Sequence, residues 1–439
     1  MTGLNIYKLA KVLWPINRSI TGDGVRKTLK IIKQYLPNLK TYEVPTGTQV
    51  FDWNIPKEWR VRKAWIKKPN GEITCDFSKN NLHLVGYSIP VQKKMSLSQL
   101  NEHLYSLPDQ PTAIPYITSY YKERWGFCLT ENERKTLVEG DYEVFIDSEL
   151  FEGSLTYGEL IIPGSLEKEI FLSTYICHPS MANNELSGPC VTTYIAKWIE
   201  GLNKRRFTYR IVFIPETIGS ITYLSKNIDL MKKNIVGGFN VSCIGDDRAY
   251  SFLPSRNGKT VSDIVGKHVL KWIDKNFVEY KWTDRGSDER QYCAPHIDLP
   301  IATIMRTKYG RYEEYHTSLD DLINVVTPQG LEGGYNALLR AVETLEKNLT
   351  PVVKVCGEPQ LGKRGLYPNL STKKNKSKVR LMMDLITWSD GKHTLIEIAE
   401  ICEVPIWDLY PILDKLVEND LIELKDKQKY TLTHKNNCP

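Results

Sequence analysis

The chain has 439 residues, 41% hydrophobic and 25% charged, with a formal net charge of +6, the composition of a globular protein with room for about two to four domains and a substantial core. No apolar run is long enough to span a bilayer, and so modest a charge permits anionic partners without demanding them. Nine cysteines, an odd count with no C-x-x-C pair, read as reduced, mostly buried thiols. The N-terminus lacks the apolar core and cleavage site of a signal peptide, so the expected location is the cytoplasm.

Residues 1–38 read as two helices. The second opens at Ser19-Ile-Thr21-Gly-Asp23-Gly24 and places Val25, Leu29, Ile32 and Leu36 on one face, with Pro37 ending it. From 41 to 153 the pattern changes to short alternating strands, dense aromatics and turns such as Pro69-Asn70-Gly71; Asp141 to Asp147 typifies its hairpin strands. Trp53, Trp59, Trp65, Tyr116, Tyr120 and Trp125 offer a ligand platform, although core packing is the commoner use of such rings. The segment is expected to be a mostly β insertion walling one side of a cleft.

From 155 to 348 strands and helices alternate, which predicts a largely parallel sheet covered by helices on both faces. Strands are expected near 155–162, 169–176, 208–214, 235–244 and 299–305, and helices near 186–203, 219–233, 257–275, 319–325 and 329–348. The domains are therefore 1–40 with 154–350 (α/β), 41–153 (inserted, mostly β), a Gly- and Pro-bearing linker at 351–375, and 376–439. A lysine cluster at Lys373, Lys374, Lys376 and Lys378 closes the linker. The last domain reads as three helices, 379–388, 395–402 and 406–419, then two wing strands, 421–425 and 429–433: a winged helix-turn-helix. Its recognition helix and immediate end carry Asp408, Asp414, Glu418 and Asp420 against Lys415. Phosphate contact needs cations there, so a protein-docking or dimerising role is expected rather than nucleic-acid binding.

The chemistry concentrates at strand ends. The apolar run Ile170–Ile176 leads to Cys177 and His178, and Asn184 and Glu185 open the next helix, at the edge of an α/β sheet where ligands bind. A second buried strand, from Arg210, ends at Glu216, and Glu314-Tyr315-His316 precedes a helix or turn. A histidine with carboxylates from separate strand ends can hold a metal, although any one of them is more often a hydrogen-bonded structural residue. Cys177, at the end of a buried strand, reads as core rather than nucleophile. The polar loop Trp282 to Arg290, with Ser287 and Asp288, lies just ahead of an apolar strand and can reach the same cleft.

Ala182-Asn183-Asn184-Glu185-Leu186-Ser187-Gly188 resembles the signature of zinc aminopeptidases related to bacterial leucyl aminopeptidase and aminopeptidase Y. The layout is similar to aminopeptidase-like bacterial proteins with an inserted β domain and a C-terminal winged helix, often linked to polysaccharide biosynthesis. The resemblance implies a zinc-peptidase-like sheet and makes His178 and His316 metal ligands and Glu216 the general base. Asn184, itself a candidate metal-site residue, Thr217 and Ser242 stand where that family places acidic ligands. So few carboxylates imply one zinc ion, with Glu185, Asp247 or Asp288 as the third ligand. Ser287, Arg290 and Tyr315 are the candidate substrate contacts. The expected activity is hydrolysis of an amide or peptide bond in a peptide or an amino-acyl or N-acyl small molecule; the alternative is a catalytically inactive scaffold or docking protein. A homo-oligomer is a further expectation.

Overall fold

The computed structural model describes residues 2–366 and 373–426. The chain forms two compact units, one from its start to Asp263 and from Asn276 to Leu338, the other from Ile264 to Lys275 and from Leu339 onward.

The first unit is organised on eight strands: β1 Lys40–Pro45, β2 Ser154–Ile162, β3 Glu169–Tyr175, β4 Thr208–Ile214, β5 Ile235–Asn240, β6 Ser251–Leu253, β7 Val278–Glu279 and β8 Ile301–Met305, in the order β1-β2-β4-β3-β5-β8-β6-β7. β3 is buried at all seven positions because it has a parallel neighbour on each side, β4 and β5, and no solvent face. The approach of β5 is close: a Cβ on Gly238 would lie 2.0 Å from the Phe171 carbonyl oxygen, so only glycine fits. The parallel run β4-β3-β5-β8 brings the carboxyl ends of these strands to one edge of the sheet. Functional loops collect there in α/β folds.

The principal helices between residues 2 and 347 are α1 Thr2–Leu13, α2 Asp23–Tyr35, α3 Ser187–Glu200, α4 Ile218–Asn234, α5 Val261–Ile273 and α6 Pro328–Lys347. α2 buries Val25, Leu29 and Ile32 while Lys27, Lys30 and Lys33 face water, as the helical period requires. A π-helical turn, Ala182–Leu186, precedes α3. The helix expected at 319–325 does not form. The Asp321 side chain instead accepts the N–H groups of Ile323 at 2.8 Å and Asn324 at 2.6 Å, a local alternative to helical bonding.

The aromatic-rich segment builds a four-stranded antiparallel sheet, Ile73–Thr74, Glu58–Lys67, Asp141–Phe151 and Val91–Ser96 in that order. The Pro69-Asn70-Gly71 turn joins the first two, with Gly71 at φ 87°. Its ends are pinned where β1 pairs with β2, from Lys40 opposite Glu159 to Pro45 opposite Ser154.

In the second unit, helices α7 Lys373–Trp388, α8 Leu395–Ile401 and α9 Ile406–Glu418 are followed by a strand, Ile422–Lys425. Thr394 and Glu397 cap α8 reciprocally. The strand pairs antiparallel with Thr350–Val353, a strand at the start of the stretch expected to be linker. The second wing strand expected at 429–433, and the side chains of Lys373, Lys374 and Lys376, lie outside the described residues. Among the described residues no helix is long and apolar enough to cross a membrane, and the eight cysteines are free thiols.

Candidate active site

His178 follows β3, and its ring is held on one side by a carboxylate. Nδ1 lies 3.0 Å from Glu185 Oε2, while Nε2 faces Glu216, 3.7 Å from its Oε2. The other Glu185 oxygen accepts from Arg18 Nε at 3.0 Å, and both side chains of that ion pair are fully buried. Arg18 Nε also donates to the His178 carbonyl at 3.0 Å. Burial works against a charged His178, but Glu185 and Glu216 outweigh it and hold the imidazole above the ordinary histidine range.

Glu216 stands at the end of β4 on a strained turn. Thr217 has φ 63°, an unusual conformation for a β-branched residue, and its N–H donates to Asp288 Oδ1 at 2.7 Å. Ser287 Oγ donates to Glu216 Oε1 at 2.8 Å. Ser287 is fixed in turn because buried Glu289 accepts its N–H at 2.9 Å, together with that of Gly286 at 2.8 Å and the Tyr309 hydroxyl at 2.6 Å. Burial raises Glu216, opposed by the His178 charge and the Ser287 hydrogen bond. Burial, then repulsion by Glu216, pushes Asp288 up to about 8; its Oδ2 has no partner. Arg290, exposed at the rim, donates to Thr217 Oγ1 at 2.7 Å.

His316 comes from the loop after β8, in a left-handed conformation at φ 58°. Its ring centre is 5.7 Å from that of His178, and Tyr315 stacks on it at 3.9 Å. Burial, reinforced by the His178 charge, lowers His316 to about 3. The aromatic-rich segment reaches the site here: Tyr116 lies 5.2 Å from both imidazole rings. A short antiparallel bridge, Pro115 opposite Thr317, holds it, with Tyr116 N–H donating to the His316 carbonyl at 2.9 Å. Of the other aromatics singled out, Tyr120 shares a 2.8 Å hydroxyl contact with Tyr116, Trp59 and Trp125 are buried, and Trp53 is exposed.

The structure thus brings together His178, Glu185, Glu216, Ser287, Asp288, Tyr315 and His316. Asn184 points inward: Oδ1 accepts from Tyr175 at 3.0 Å and Nδ2 is buried without a partner. Its turn is held by Asp320, which accepts the N–H of Asn183 at 2.7 Å and of Asn184 at 3.0 Å. Asp247 is exposed and accepts from Thr327 at 3.0 Å. Sequence reasoning missed Arg18 and Asp320. Arg18 sits in a polar loop between two helices, and nothing local signals a fully buried guanidinium.

Cys177, His178 and Glu185 offer ligand atoms within 4.8 Å of one another, a spacing that admits an ion. That arrangement uses the His178 nitrogen already bonded to Glu185 and a thiol whose sulfur accepts the Glu216 N–H at 3.1 Å. Burial and the nearby carboxylates push the Cys177 thiol well above its usual range. On the other side of the ring, His178 Nε2 faces Glu216 and the neighbouring His316.

Comparison with known proteins agrees with this architecture. A solved structure of a provisionally assigned peptidase from Clostridium acetobutylicum superposes with a TM-score of 0.90 at 42% identity, covering 97% of each chain. A zinc aminopeptidase from Bacillus subtilis superposes at 0.58 with 10% identity, over 78% of this chain and 94% of that one, which speaks to the fold alone. A C. acetobutylicum protein, provisionally named a polysaccharide biosynthesis protein with aminopeptidase-like domain, is 45% identical over 400 residues, 91% of each chain. The fold class is therefore aminopeptidase-like α/β with a C-terminal winged helix-turn-helix; the latter family model matches residues 349–424. Residues 7–348 match the model described as domain of unknown function DUF4910, and the chain belongs to that family.

Proposed function

We propose that this protein is a zinc-dependent, aminopeptidase-like hydrolase that cleaves an amide or peptide bond. The observation that carries the reading is the meeting of His178, His316 and Glu216, from three separate loops, with the far side of His178 fixed by Glu185.

The donor set fits one divalent ion. Arg18 and Glu185 neutralise each other, leaving Glu216 and Asp288 to balance a charge of 2+, and the unpartnered Asp288 Oδ2 marks a buried carboxylate in need of a cation or a proton. A second ion has only Asn184, Thr217 and Ser242, all neutral, where further carboxylates are needed. His178 and His316 would hold the ion, with the buried Asp288, whose Oδ2 has no partner, as the carboxylate proposed to complete the set. Glu185 takes the outer, orienting place, because both its oxygens are engaged. When bound, zinc supplies polarisation of a carbonyl and a lowered pKa for water.

The chain's own groups do the rest. Glu216, raised by burial, takes a proton from the attacking water and returns it to the leaving amine. Ser287 keeps Glu216 aimed and so acts on the base rather than on substrate. Arg290 at the rim suits a substrate carboxylate, and Tyr315 and Tyr116 exclude water beside the imidazoles. The 45% identical relative is named for polysaccharide biosynthesis, and the substrate we propose is an amino-acyl or N-acyl group on a sugar, with a peptide as the simpler alternative. The three neutral residues favour one competing reading, a shell without chemistry that serves docking. For the winged helix we propose a protein or self-association surface, since Asp408, Asp414, Glu418 and Asp420 are exposed on and just after α9.

Glu216→Gln is the test. It is expected to keep zinc at wild-type stoichiometry while turnover of an aminoacyl-amide panel falls about 100-fold or more; unchanged turnover would remove Glu216 from the chemistry.

A further inference from the structure

Arg18 makes three donations from complete burial: Nε to the His178 carbonyl at 3.0 Å and to Glu185 Oε1 at 3.0 Å, and Nη1 to the Leu13 carbonyl at 2.8 Å. One side chain thereby ties the end of α1, the backbone of His178 and the carboxylate that holds the His178 ring. A buried carboxylate without a counter-ion is costly, and a planar guanidinium is suited to serving several acceptors at once. A lysine, a single point charge on a flexible stem, cannot reproduce that geometry.

We propose that Arg18 is the positioning residue of this site. It holds Glu185 in place, Glu185 accepts the Nδ1 proton of His178, and the Nε2 lone pair is left facing Glu216. This rests on the proposed function for its chemical purpose, yet the geometry makes a claim about His178 that holds with or without a metal. The loop between α1 and α2 is accordingly part of the site, although it lies about 160 positions from the histidine in the chain.

The test uses the full chain with Arg18→Met, Glu185→Met and the double variant, which removes both buried charges together and is the version expected to fold should Arg18→Met not. Zinc affinity is read by competition with a chromogenic chelator, and the tautomer of His178 by nitrogen-15 spectra of metal-free, histidine-labelled protein at alkaline pH. Each single variant is expected to bind zinc about 10- to 100-fold more weakly than wild type. The double variant should be no weaker than Glu185→Met, because Arg18 acts through Glu185. The wild-type spectrum should place the proton on Nδ1, and the variants should lose that preference. Wild-type affinity in Arg18→Met, or a further tenfold loss in the double variant over Glu185→Met, overturns the proposal. If wild-type protein binds no zinc, the hydrolase reading fails separately. The tautomer then decides: loss of the Nδ1 preference in Arg18→Met, or in Arg18→Lys should Arg18→Met not fold, supports Arg18 as positioning residue, and its retention overturns the proposal.

Discussion

Tyr116 donates its backbone N–H to the carbonyl of His316 at 2.9 Å, so a ring from the aromatic-rich segment is fixed against the imidazole of a loop two hundred residues later in the chain, and against that of His178. The segment contributes a wall of the site, and side-chain truncation there has a measurable cost. Tyr116→Phe keeps the ring and loses only the 2.8 Å contact with Tyr120, for about 1 kcal/mol of stability. Tyr116→Ala removes the wall and costs about 2 kcal/mol, less than for a fully buried ring. Urea unfolding of the two variants, with KM measured alongside, checks both; equal stabilities would mean that the ring packs on nothing of consequence.

Asp320 is a structural carboxylate acting on the turn before α3. Besides the N–H groups of Asn183 and Asn184 it accepts the Tyr312 hydroxyl at 2.9 Å. Asp320→Ala leaves these buried donors unmatched and is expected to destabilise by about 3 kcal/mol. Asp320→Asn, which keeps one acceptor, should cost less. A denaturant midpoint unchanged in the alanine variant would contradict this.

In the second unit His268 provides a pH dependence whose sign is fixed by geometry. Its Nε2 accepts the Ile406 N–H at 3.0 Å at the start of α9, and its Nδ1 meets Glu400 at 2.5 Å. Burial lowers His268 despite Glu400, so the folded state binds its proton less readily than the unfolded chain. The resulting stabilisation is present above the unfolded value, near 6.5, and is lost as pH falls below it. His268→Gln, followed by thermal unfolding between pH 5 and 8, should flatten that acid-side loss.

The exposed acids on and just after α9 lead to a fourth expectation. Electrophoretic shifts with duplex DNA at moderate salt should show no complex in the presence of competitor DNA, because cations on the presented face are too few. A sequence-dependent shift that survives competition would assign the winged helix to nucleic acid instead.

The large sheet was legible because β3, β4 and β8 are short, mostly apolar runs bounded by turn residues, the pattern expected of parallel strands buried on both faces. Candidate chemistry was legible at His178, Glu216 and His316 because polar residues closing or following such runs stand out. The roles of their neighbours were not. Whether Glu185 faces the ligand or the far nitrogen of His178 depends on Arg18, which arrives from a distant loop through tertiary packing. The failed helix at 319–325 was lost to Asp321 capping its own turn, and Thr350–Val353 is too short to announce itself before its partner strand is in place.

The most direct measurement is anomalous scattering at the zinc edge from crystals of full-length protein purified without chelator. A single peak within bonding distance of His178 Nε2 and a His316 nitrogen, with Glu185 still on Nδ1, is the predicted result. Two peaks, or none with zinc supplied, would contradict the one-ion hydrolytic site.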